Sequence, residues 1–116
     1  NQGKNPSKIH DFYGDMSPVH SLNNLAVVVW AFLSFQDSFD EAIGETICCG
    51  WDTDCTGATV GGLIGLDKHS IPSLWTDPWQ GRVTTSIAGV GELQLDDLVK
   101  RTCVLVESFS SIKDLD

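Results

Sequence analysis

The chain has 116 residues, a length that buries roughly two-thirds of its unfolded surface and sustains one modest core. Seven Lys and Arg against sixteen Asp and Glu leave a formal charge of −9 with no basic run, which argues against nucleic acid or anionic membrane as a partner. The longest apolar run, Leu25 to Leu33, falls far short of the about 20 residues that a membrane crossing needs, and no signal-peptide flank precedes it.

In chain order, residues 1–18 carry Gly3, Pro6 and Gly14 among polar residues and read as an irregular lead-in, with one short turn at about 9–13. Ser21 is the expected N-cap of a helix over 22–35, apolar on nearly every face as a central helix would be. Ser38-Phe39-Asp40-Glu41 has capping-box spacing, and Phe39, Ala42, Ile43, Thr46 and Ile47 share one face of a second helix that Gly50 stops. A third helix starts within 52–54 and runs to about Leu66. Gly57, Gly61 and Gly65 recur along it every four residues, with Ala58 and Gly62 widening a small surface that a neighbouring backbone would approach. Ile71 to Trp75 reads as one helical turn, and Trp75 and Trp79 as packing residues. Residues 77–93, rich in Gly and Thr, read as a long connection. Leu95, Leu98, Val99, Thr102, Leu105, Val106 and Phe109 then predict a closing helix over about 95–110. The fold class that follows is all-α, a compact helical bundle.

Cys48, Cys49, Cys55 and Cys103 form no CxxC pair and no Cys/His grid, so neither a zinc site nor a disulfide framework is indicated; reduced thiols in a cytoplasmic protein fit better. Asp52-Thr53-Asp54 places two carboxylates two positions apart. That spacing separates side chains across a helix but aligns them along an extended segment, so the pair needs the turn before the third helix to converge on a hard cation. Helix capping by one of the aspartates is the simpler reading of the same residues. Cys55 has no histidine placed beside it by the sequence, His10, His20 and His69 included, so a nucleophilic thiol is not expected.

The strings Val19 to Ala26, Asp40-Glu41-Ala42-Ile43, Gly50-Trp51-Asp52-Thr53-Asp54-Cys55, Ile71 to Trp75 and Leu95 to Thr102 resemble, in order over residues 19–105, the C-terminal stretch of ADP-ribosylglycohydrolases. The Gly50 to Asp54 string is the specific part. The resemblance implies the family's orthogonal helical fold. It also implies two divalent ions in the complete enzyme, Mg²⁺ or Mn²⁺, that grip the ribose of an ADP-ribosyl substrate and activate a water against its glycosidic bond. By the matching motif, Asp52 and Asp54 fall on metal ligands. Cys55 stands where the family commonly has a Thr or Ser whose hydroxyl also meets a metal, and a soft thiol suits magnesium poorly. His20 and Asn24 fall where the family approaches its cleft, and Trp51 falls where an indole would wall the nucleotide pocket.

The family's remaining ligands belong to an acidic Thr-Asp-Asp type segment, which residues 1–49 do not contain. The only methionine is Met16. The expectation is therefore a C-terminal portion, residues 1–116, that needs a missing N-terminal segment or a partner chain to complete the site. The alternative is a non-catalytic helical module that keeps the fold for partner binding, as crystallin-like relatives do.

Overall fold

The segment expected to be irregular holds a helix, α1 (Ser7–Tyr13), in the computed structural model, which describes residues 5–68 and 70–113. Local chemistry explains it. Asn5 Oδ1 accepts the Ser7 N–H at 2.9 Å, and the Pro6 carbonyl accepts that of Ile9 at 2.8 Å, so two donors of the first turn are satisfied. Residues 1–4 of the expected lead-in and His69 lie outside the described residues.

Helix α2 spans Ser21–Phe35. Its cap is His20, not Ser21: His20 is extended (φ −73°, ψ 139°) and its Nδ1 accepts the Leu22 N–H at 3.1 Å, which leaves Ser21 as the first helical residue. Helix α3 (Phe39–Cys48) is capped as its sequence predicts, Ser38 Oγ accepting the Glu41 N–H at 3.3 Å with Asp40 and Glu41 in the first turn. Helix α4 spans Thr53–Lys68.

Helices α2, α3 and α4 pack on one another, and α1 lies on α2. Val28, Ala31 and Phe35 of α2, Ala42 of α3, and Val60 and Ile64 of α4 form the core, with Trp30, Phe32, Phe39 and Ile43 packed against it. The opposite stripe of α2, Leu22, Leu25, Val29 and Leu33, is about half exposed or more. The face of α2 that carries the core is thus narrower than its sequence suggests.

The glycines of α4 make a groove for side chains rather than for a backbone. A Cβ on Gly57 would stand 2.9 Å from Ile47 Cδ1, and one on Gly61 would stand 3.3 Å from Ile43 Cδ1, so two isoleucines of α3 fill the space. Ala58 and Gly62 lie on the exposed side of α4 and take no part.

The contacts divide the chain into two units, residues 1–71 and 72–116. The second contains a short helix α5 (Ser73–Thr76), a 3-10 turn at Asp77–Trp79, strands β1 (Arg82–Thr84) and β2 (Glu92–Gln94), and helix α6 (Leu95–Lys113). The stretch read as a connection is therefore an antiparallel hairpin, with Val83 opposite Leu93. Trp75, Trp79, Leu98, Val99 and Leu105 are all more than a third exposed, contrary to the packing role expected of the tryptophans. The fold class stands as mostly α with one small sheet. No helix of the described residues is long and apolar enough to cross a membrane.

Because nothing lies within 4 Å of a Cβ built on Gly62, Gly62→Ala should stabilise the protein by about 0.5–1 kcal/mol through helix propensity alone. Gly57→Ile, which drives a branched side chain into Ile47, should cost about 1–3 kcal/mol. Urea unfolding of the two variants checks both signs.

Candidate metal centre

Between α3 and α4 the chain reverses over Cys49 to Asp52. Gly50 (φ +74°) and Trp51 (φ +61°) both take left-handed backbone conformations. Glycine does so freely, whereas for tryptophan the conformation costs on the order of 1–2 kcal/mol and persists only where the surroundings impose it.

Asn24 supplies one such constraint. Its Oδ1 accepts the Asp52 N–H at 3.2 Å, and its Nδ2 donates to the carbonyls of Pro18 at 2.8 Å and His20 at 2.9 Å. Asn23, fully buried beside it, donates from Nδ2 to the Ser17 carbonyl at 3.2 Å and accepts the Asn24 N–H at 3.0 Å. Two adjacent amides on α2 thus tie the connector before the helix to the bend before α4. From the other side, the Asp52 carbonyl accepts both the N–H and the hydroxyl of buried Thr56, each at 3.0 Å.

The backbone so fixed aims the acidic side chains. Asp52 precedes α4 while Asp54 lies in its first turn, so the pair straddles the helix start and escapes the divergence that a continuous helix would impose. Ligand atoms of Asp52, Asp54 and Cys55 lie within 4.8 Å of one another, with Asp52 half-buried and the other two exposed. The free N–H groups and dipole of the first turn of α4 favour these negative charges with or without a cation.

The donor set fits a hard divalent ion through its two carboxylates. Sulfur fits less well. Hydrogen bonding to Asp52, then the charges of Asp52 and Asp54, hold the Cys55 thiol above its ordinary pKa, so it keeps its proton at neutral pH. Burial, with Glu45 and Cys48 nearby, pushes the Cys49 thiol up to about 11, which makes that residue a core filler rather than a reagent.

The other residues singled out in the sequence surround this bend in different ways. Asn24 is buried with its amide engaged inside the protein, and His20 is exposed with its Nδ1 capping α2. Trp51 is half-buried, its ring 4.3 Å from that of His10 at an interplanar angle of 37°. Sequence reasoning missed the Asn24 to Asp52 bond and the role of Thr56. The available signal was the register: Asn23 and Asn24 continue the buried positions Val27, Val28 and Ala31, and a buried amide requires backbone partners.

The family model described as ADP-ribosylglycohydrolase matches residues 2–108, which extends beyond the 19–105 stretch that carries the motifs. No curated protein and no solved structure gives a match.

Asn24→Ala removes the side-chain partner of the Asp52 N–H and of the Pro18 carbonyl, while the His20 carbonyl keeps only the backbone N–H of residue 24. It should destabilise the protein by about 2–3 kcal/mol, against about 0.5–1 kcal/mol for His20→Ala, which removes only an exposed cap. Chemical denaturation of both variants tests that order.

Proposed function

The chain belongs to the ADP-ribosylglycohydrolase family, a family of glycohydrolases, and from that premise we propose that it serves metal-dependent hydrolysis of the glycosidic bond of ADP-ribosylated protein or a related ADP-ribosyl substrate. The observation that supports this reading best is the convergence of Asp52 and Asp54 at the mouth of α4.

In this reading Asp52 and Asp54 hold Mg²⁺ or Mn²⁺ as part of a two-ion centre. Such ions, when bound, would lower the pKa of a water and hold the ribose hydroxyls in place as the bond to the anomeric carbon breaks. The chain's own residues keep the carboxylates in place: Asn24 holds the Asp52 amide, Thr56 holds its carbonyl, and the Gly50-Trp51 bend sets the approach. The N-terminal turn of α4 offers N–H groups toward a pyrophosphate, Trp51 a flat wall toward the nucleotide, and His20 a polar edge. Asn24 contributes to substrate binding through Asp52.

Two carboxylates leave most of an octahedral shell to other donors, so the remaining ligands come from another segment of the protein or from a partner chain. The exposed apolar stripe of α2 supports that reading, being a surface such a segment would cover. This chain is then the C-terminal portion of the enzyme. Four free cysteines suit a reducing compartment, and the reading places the protein in the cytoplasm.

A second reading, a non-catalytic helical module with the family fold, draws on Cys55, whose protonated thiol replaces a hydroxyl ligand. Release of ADP-ribose from an ADP-ribosylated protein in the presence of Mg²⁺ separates the two. Asp52→Asn and Asp54→Asn should each reduce turnover by on the order of 100-fold or more, beyond the loss typical of an outer-shell partner, while helical circular dichroism stays unchanged. Full activity in either variant would defeat the metal-ligand assignment, and absence of activity in the unaltered chain combined with the segment or partner that completes the site would favour the module.

A further inference from the structure

Asn24 fixes the amide that follows Trp51, but no hydrogen bond from Asn24 restrains the indole itself. The ring is met from a different element. His10, near the middle of α1, lies with its ring centroid 4.3 Å from that of Trp51 and its plane tilted by 37°. This is ring-on-ring contact, closer than most offset or edge-on aromatic pairs.

Helix α1 is in turn anchored where it can hold that ring still. It packs on α2, and the connector after it is pinned at Ser17 and Pro18 by the amides of Asn23 and Asn24. One side chain, Asn24, therefore sets both the end of the α1 connector and the Asp52 amide, while His10 closes the loop between them through Trp51. A left-handed tryptophan directly before a half-buried carboxylate is the point in this circuit most in need of outside restraint.

We propose that His10 is a positioning residue of the carboxylate site: packed ring to ring against Trp51, it locks the left-handed bend that presents Asp52 to the cation. The proposal rests on the reading of Asp52 and Asp54 as metal ligands. What the contact demands of position 10 is a flat ring within contact distance of the indole, so phenylalanine satisfies it and alanine or glutamine does not.

The test compares the unaltered protein with His10→Ala, His10→Gln and His10→Phe by amide hydrogen exchange over residues 50–54 and by titration with Mn²⁺ alone, with Asp52→Asn as reference. His10→Ala and His10→Gln should speed exchange at these amides about tenfold, while the core of α2, α3 and α4 keeps its protection. Their Mn²⁺ affinity should fall about three- to tenfold, at or below the loss usual for an outer-shell partner, and His10→Phe should restore both within about twofold. Unchanged exchange in both ring-deleting variants overturns the proposal, as does faster exchange with undiminished Mn²⁺ affinity. If Asp52→Asn itself leaves Mn²⁺ affinity intact, the metal reading fails and takes the proposal with it, and the exchange data still report whether His10 restrains the bend.

Discussion

The hydrogen bond from the Asp52 amide to Asn24 Oδ1 links positions 28 residues apart and joins α2 to the bend that opens α4. Around it the rest of the first unit is arranged. The other end of the same amide group holds two carbonyls of the connector before α2, so the oxygen and nitrogen of one buried side chain set two loops at once. An apolar residue at this position would take the side-chain partner from the Asp52 N–H and the Pro18 carbonyl, and a carboxylate would repel the carbonyls while adding to a negative centre. Asparagine meets both demands without charge.

That bond holds a bend that packing has already brought close. Ile43 and Ile47 of α3 seat against Gly61 and Gly57 of α4, which draws the two helices together and forces the chain to reverse within Cys49 to Asp52. This reversal uses two consecutive left-handed residues, and Trp51 accepts that strain beside Gly50. The result places Asp52 outside the helix and Asp54 inside it. Two carboxylates that a regular helix would separate then face a common point. Helix propensity, interhelical packing and site geometry are successive consequences of the same few small residues.

Helices α2, α3 and α6 were legible because their signals are local: the apolar run from Leu25 to Leu33, Ser38 with Glu41 three positions on, and the spacing of Leu95 to Phe109. The carboxylate turn was legible from Asp52 and Asp54 lying between Gly50 and a helix. What was not legible depended on tertiary partners. His20 displaces Ser21 as cap because its ring nitrogen reaches the Leu22 amide from an extended backbone, a competition that composition does not rank. The glycine stripe of α4 announced close approach but not that isoleucine side chains would fill it. Strands of three residues are too short for alternation to declare, and Arg82 to Thr84 became a strand only by pairing with Glu92 to Gln94. The two amides of Asn23 and Asn24 sit in the buried register of α2, yet their partners lie in loops whose course the sequence does not fix.

Paramagnetic broadening of amide resonances by substoichiometric Mn²⁺ tests most directly whether the latched bend gathers Asp52 and Asp54 about a divalent cation. The signals of residues 50–56 should broaden first and recover when Mg²⁺ is added in excess. Broadening that begins instead at another acidic pair, such as Asp96 and Asp97 at the start of α6, or that spreads evenly over the acidic surface, would contradict that arrangement.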